Sequence, residues 1–166
     1  MTRKVVLGLG DVGRGDDGVG VHALKALGGR LGPQTSLELI DGGGLSAGYL
    51  LNLIEDCSHL LVLDALDLGR PAGSVIELGS GQISLYSGLQ VSPHQLAFQE
   101  ALELAGSRGH LPVRLQVVGA QPANLSGGHD MSPILCEALP DLVERAVKLL
   151  LEWGPAPSPT LRARPG

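Results

Sequence analysis

Val5-Val6-Leu7-Gly8-Leu9-Gly10-Asp11-Val12-Gly13-Arg14-Gly15-Asp16-Asp17-Gly18-Val19-Gly20 reads as three features in succession. The short apolar run over residues 4–9, closed by glycines, predicts a strand buried on both faces. Glycines then turn the chain. Asp16 is placed to cap a helix whose apolar positions are Val19, Val21, Leu24 and Leu27, with Gly28-Gly29 expected at its end. Strand, glycine turn and helix in that order begin a layered α/β domain.

The same alternation continues along the chain. Residues 36–40 predict a second strand, ending at Asp41-Gly42-Gly43-Gly44, and residues 47–55 a helix. Residues 59–64 form the most apolar strand, through Leu60-Leu61-Val62-Leu63, which is expected at the centre of the sheet. Residues 74–78 and 113–118 supply a fourth and a fifth strand. Further helices are expected from Pro93 or His94 to about Ala105, and from Ser132-Pro133 to about Trp153, with Pro140 kinking or restarting the last one. Residues 79–91 and 119–131 read as long loops, of a length that in compact domains usually serves function. The expected fold class is α/β: a three-layer αβα arrangement around a mostly parallel twisted sheet of about five strands. One domain takes residues 1–153, and the Pro-rich stretch 154–166 reads as a flexible tail.

Composition narrows the function classes. The chain has 166 residues, of which 43% are hydrophobic, enough for a real core, but only 2% are aromatic. The core must be Leu, Val, Ile and Ala, and stacking platforms for single-stranded nucleic acid are absent. A net charge of -5 argues further against a polyanionic partner. Cys57 and Cys136 lack metal-ligand spacing. The first apolar run is too short for a signal-peptide core and no stretch is long enough to span a bilayer, so the expected location is the cytoplasm.

Three residues carry the chemistry. Asp17 lies in the loop after the first strand, Asp64 closes the most apolar strand, and His94 stands in Ser92-Pro93-His94-Gln95 before a helix. Ligand crevices of open parallel sheets lie beyond the carboxyl ends of the strands. Two carboxylates and an imidazole converging there make a metal site suited to nickel or zinc, without the thiolates usual in structural zinc sites. Other readings stand beside this one. Gly8, Gly10 and Gly13 match the dinucleotide fingerprint, although Asp16 and Asp17 place negative charge where a pyrophosphate would sit. Gly44-Leu45-Ser46-Ala47-Gly48 matches a nucleophile elbow, but three glycines separate it from its strand, and Ser46 fits better as a helix cap. Taken singly, Asp17 could be a first-turn acid, Asp64 a turn residue and His94 a cap.

From Val5 to about Val147 the chain resembles the nickel–iron hydrogenase maturation endopeptidases. That family opens roughly on G-x-G-N-x-L-x-x-D-[DE]-x-x-G, which here falls on Gly8 to Gly20 and puts the acidic ligand at Asp17. Its second acidic ligand corresponds to Asp64 and its histidine to His94. Asp41-Gly42-Gly43 resembles its D-G-G segment, and Val118-Gly119-Ala120-Gln121-Pro122, with Leu125 and Ser132-Pro133, its closing segment. Asp11 stands where the family usually has Asn, and Gly13 where it has Leu. The resemblance implies removal of a C-terminal extension from the hydrogenase large-subunit precursor after nickel is loaded. It implies that Asp17, Asp64 and His94 recognise nickel supplied by the substrate and take part in catalysis, and that Asp41, Gly42 and Gln121 contact the substrate. No nucleic-acid or membrane partner is implied. Two alternatives stand beside it: a non-enzymatic nickel-binding or chaperone protein using the same three ligands, and a dinucleotide-binding oxidoreductase using the Gly8-x-Gly10-x-x-Gly13 loop.

Overall fold

In a computed structural model, residues 3–33, 36–82, 93–124, 128 and 130–154 are described, apart from the side chains of Pro93 and His94. The expectations for residues 83–91, Leu125 and the tail 155–166 lie outside the described residues. The elements are β1 (Lys4–Gly8), α1 (Val19–Leu31), β2 (Glu38–Asp41), α2 (Ala47–Asp56), β3 (His59–Ala65), β4 (Val75–Leu78), α3 (Pro93–Ser107), β5 (Arg114–Ala120) and α4 (Pro133–Glu152). One-turn 3-10 helices occupy Gly15–Gly18 and Ser80–Gln82.

The strands form one five-stranded sheet in the order β2-β1-β3-β5-β4. The four strands β2, β1, β3 and β5 are parallel, because helical crossovers bring the chain back to the same edge each time. β4 runs antiparallel to β5. No helix intervenes between β3 and β4, so the chain simply turns and runs back. The Leu60–Leu63 strand is central, as its unbroken apolar run predicts.

Both faces of the sheet are covered. Val6, Leu61, Leu63 and Val118 point toward α1 and α4, where they meet Val19, Leu24, Leu27, Leu135, Leu142 and Ala146. Val5, Leu7, Leu60, Val62 and Val117 point toward α2 and α3, where they meet Leu50, Leu53, Ile54, Phe98, Leu102 and Ala105. Adjacent strand residues thus alternate between two cores, and both must be apolar. Gly20 sets how closely α1 approaches: a Cβ there would overlap the carbonyl oxygen of Leu63 and crowd that of Leu9. Among the described residues, no helix is long and apolar enough to cross a membrane.

Three local expectations change. α1 runs through Gly28 and Gly29 to Leu31, and the stop is Gly32 instead, at φ +67 with its N–H on the Gly28 carbonyl at 3.0 Å. α4 does not restart at Pro140: it is one helix that runs on across it. Pro140 and Cys136, whose carbonyl loses its donor, both lie on the exposed side, where water can replace the missing bond. Asp16 caps no helix of its own: the residue before the 3-10 turn is Arg14, and that before α1 is Gly18.

Candidate functional site

The strand order reverses at β1: the chain moves out to β2, then returns to β3 on the other side. The carboxyl ends of β1 and β3 therefore flank the switch point, where open α/β sheets form their ligand crevice. Asp17 and Asp64 come from these two ends.

The loop after β1 is built around Asp17. Gly10, at φ +125, turns the chain so tightly that a Cβ would fall against the Asp17 carbonyl oxygen. Asp11 accepts the Gly13 N–H at 2.8 Å through its side chain and the Arg14 N–H at 3.0 Å through its carbonyl. The Asp17 carboxylate then takes the Asp11 N–H at 3.1 Å. Asp17 is buried on the 3-10 turn, which lies against β3. That carboxylate already holds a backbone donor of the kind a pyrophosphate would need, so the glycines serve the turn itself.

Asp64 is the penultimate residue of β3 and has no exposed surface. Its Oδ1 accepts the Ala65 N–H at 2.8 Å, and its Oδ2 accepts from Gln95 Nε2 at 2.9 Å. These donors, one on each oxygen, fix the carboxylate plane. Gln95 lies in the first turn of α3, directly after His94. The start of α3 is thus tied to the end of β3, and the backbone of His94 is carried there with it. The His94 side chain lies outside the described residues. Among the side chains described, no three His, Cys, Asp or Glu groups converge on one point.

The three residues expected to contact substrate flank this centre. Asp41 closes β2 beside Gly8, exposed, its Oδ1 accepting the Gly43 N–H at 3.0 Å. Gly42 donates its N–H to the Gly8 carbonyl at 2.7 Å, so the D-G-G turn leans on the first glycine loop. Gln121 follows β5 on the opposite flank and is buried. Its Oε1 accepts the N–H groups of Leu68 at 2.8 Å and Arg70 at 3.1 Å, while its Nε2 donates to Asp67 Oδ1 at 2.9 Å. Its amide therefore shapes the 67–70 turn.

Asp16, beside Asp17 in sequence, faces elsewhere. It accepts the N–H groups of Ala123 at 2.9 Å and Asn124 at 3.3 Å, and both the N–H and the hydroxyl of Ser132. This binds the segment before α4 to the loop after β1. Neither this role nor that of Gln95 has a signal in the linear sequence beyond polar residues next to a motif.

The nucleophile-elbow reading has no support. Ser46 is the N-cap of α2, its Oγ accepting the Tyr49 N–H at 3.3 Å. The buried Cys57 thiol is pushed up to about 11 by burial, so it is no thiolate at neutral pH. His59 lies far from the site, at the amino edge of the sheet, edge-on to Trp153 with ring centroids 5.1 Å apart. His129 lies outside the described residues. A cleft of about 440 Å³ beside β4, lined by Leu68, Arg70, Ile76, Glu77, Gln82 and Arg145, is two strands from Asp64 and holds none of the expected residues.

Comparison with known proteins points the same way as the residues. Residues 21–151 match the profile of the hydrogenase maturation protease family. The hydrogenase expression/formation protein HupD of Rhizobium leguminosarum bv. viciae is 33% identical over 157 residues, covering 93% of this chain and 77% of the relative. The hydrogenase 2 maturation protease of Escherichia coli (strain K12) is 29% identical over 154 residues, covering 92% of this chain and 93% of the relative. Among solved structures, the hydrogenase maturating endopeptidase HYBD from E. coli matches with a TM-score of 0.82 at 26% identity, covering 92% of this chain and 94% of that one.

Proposed function

The chain belongs to the hydrogenase maturation protease family, and from that premise we propose that it removes the C-terminal extension of a nickel-loaded [NiFe]-hydrogenase large-subunit precursor, recognising the nickel through Asp17, Asp64 and His94. The observation that carries this reading is the joining of three separate segments at the β1/β3 switch point. The Asp17 turn lies against β3, Asp64 stands at the carboxyl end of β3 next to its last residue, and Gln95 ties the turn bearing His94 to Asp64.

Two carboxylates and a neutral imidazole form an incomplete ligand set, fit to finish a coordination shell that another protein begins. The nickel is part of the substrate. A precursor without it lacks the contact that orients its extension in the site, and is rejected. Water then attacks the scissile carbonyl, activated either by the metal or by one of the two carboxylates. Ser46 and Cys57 are occupied or unreactive, in keeping with direct attack by water. Asp41 and Gly42 on one flank and Gln121 on the other frame the path of the substrate. Gln121 acts there through the 67–70 turn it holds. The place of action is the cytoplasm.

The test offers the purified protein nickel-free and nickel-loaded precursor and follows loss of the extension by mass spectrometry. Only the loaded form should be shortened. Equal cleavage of both refutes recognition of substrate-borne nickel. Tight binding of the loaded form with cleavage of neither would make the protein a nickel chaperone.

A further inference from the structure

We propose that Gln95 is a positioning residue for this reaction, holding the Asp64 carboxylate and the first turn of α3 in one fixed relation; the inference rests on the reading that Asp64 and His94 act together. Gln95 Nε2 donates at 2.9 Å to Asp64 Oδ2 and at 3.0 Å to the Ala65 carbonyl. Both partners are acceptors, so the amide must present its nitrogen to them, and its orientation is fixed. Gln95 is 5% exposed and Asp64 0%, so water does not substitute for either bond. The Ala65 N–H closes the arrangement on Asp64 Oδ1 at 2.8 Å, and the carboxylate is held from both sides.

The residue type matters as much as the contact. A lysine or arginine here would also hold Asp64, but its positive charge would cancel the carboxylate and compete with a metal. A glutamate would set a second carboxylate against the first. A neutral amide orients the oxygen through hydrogen bonds and leaves its charge available to a cation. His94 precedes Gln95, with consecutive Cα atoms about 3.8 Å apart. The tether that sets the carboxylate therefore also sets where the backbone of His94 is carried.

Gln95→Met keeps the length of the side chain and removes both donors. Cleavage of nickel-loaded precursor by this variant should lose about 10- to 100-fold in kcat, the usual effect of removing a partner that orients a metal ligand, and KM should rise, because the same carboxylate contacts the nickel of the precursor. Gln95→Glu keeps the shape and should lose at least as much. Leu102→Ala is the control for stability: Leu102 is a core residue of the same helix, 6% exposed and apart from Asp64 in sequence and role. It should destabilise the fold and leave kcat intact. Circular dichroism confirms folding of each variant, and Gln95→Glu stands in if Gln95→Met does not fold. Wild-type kcat in a folded Gln95 variant, or an equal kcat loss in Leu102→Ala, overturns the proposal. If wild-type protein cleaves nickel-free and loaded precursor alike, nickel recognition fails, yet the kcat of Gln95→Met against Leu102→Ala still decides the role of Gln95.

Discussion

The Asp16 carboxylate holds Ser132 twice, across 116 residues of sequence: Oδ1 accepts its backbone N–H at 2.7 Å and Oδ2 its hydroxyl at 2.9 Å. With the Ala123 and Asn124 N–H groups it accepts four bonds in all. A residue placed by sequence as a helix cap is thus the clasp between the loop that presents Asp17 and the segment leading into α4. Asp16→Asn would turn an amide NH2 toward backbone donors. With the NH2 in the place of Oδ1 the variant loses the one bond from the Ser132 N–H, a loss of about 1.5–3 kcal/mol for a bond to a charged group. Urea denaturation of the variant measures it, and a wild-type midpoint would make the clasp dispensable.

Two glycines of α1 should respond oppositely to the same substitution. Gly29 has open space where a Cβ would be, so Gly29→Ala should stabilise by about 0.5–1 kcal/mol through helix propensity. Gly20→Ala would drive a methyl into the carbonyls of Leu63 and Leu9 and push α1 off the sheet, a loss of about 2 kcal/mol or more. Thermal unfolding of the pair reads the difference in sign. A neutral Gly20→Ala would mean that α1 sits farther from β3.

His94→Ala should abolish cleavage of nickel-loaded precursor while far-ultraviolet circular dichroism stays native. An imidazole completing a metal's coordination adds chemistry more than packing. Asp17→Asn and Asp64→Asn should likewise stop cleavage. Turnover by His94→Ala at the wild-type rate would reduce His94 to the opening residue of a helix.

Ser46→Ala separates capping from catalysis. Loss of the Tyr49 contact should cost about 1 kcal/mol of stability. Cleavage should continue unchanged, and serine-directed inhibitors should have no effect. A Ser46→Ala protein that folds but no longer cleaves would restore the hydroxyl as a nucleophile.

The amino edge of the sheet carries an acid sensitivity. Burial holds the His59 imidazole below its ordinary 6.5, and the charges of Lys4 and Arg114 add to this. As pH falls below about 6.5 the unfolded chain takes up a proton that the folded chain refuses. Stability from this source is therefore complete above 6.5 and is lost as pH falls through the depressed folded value. Glu38 and Glu144 are held below 4.5 by Arg3 and Arg30, so they respond in a lower window. Urea midpoints from pH 7.5 to 5 should fall for wild type and stay flatter for His59→Gln. Parallel curves would place the acid response elsewhere.

The strands and helices were legible because burial leaves a local imprint. A strand covered on both faces has to be apolar at every position, and Leu60-Leu61-Val62-Leu63 announces its central place from composition alone. Glycine turns and polar residues closing apolar runs marked Asp17, Asp64 and the D-G-G turn as residents of one sheet edge. The expected helix end at Gly28-Gly29 failed because a glycine permits a left-handed turn without requiring one. Which glycine takes that conformation depends on where the following chain must go, and here Gly32 does so.

Sequence by itself determined the class of fold, the family and the edge of the sheet at which Asp17, Asp41 and Asp64 gather, since all three follow from the order of residue types along one chain. Only the tertiary structure decided which polar groups meet. Gln95 holds Asp64 across 31 positions, Asp16 holds Ser132 across 116, and Gln121 braces Leu68 and Arg70 across 53 and 51. A hydrogen bond fixes two atoms to within a few tenths of an ångström, and distant residues reach that separation only after the strand order and the helix approach are set. Hydrophobic burial tolerates many partners and can be read from pattern; a directed bond has one geometry, and it exists only in the folded chain.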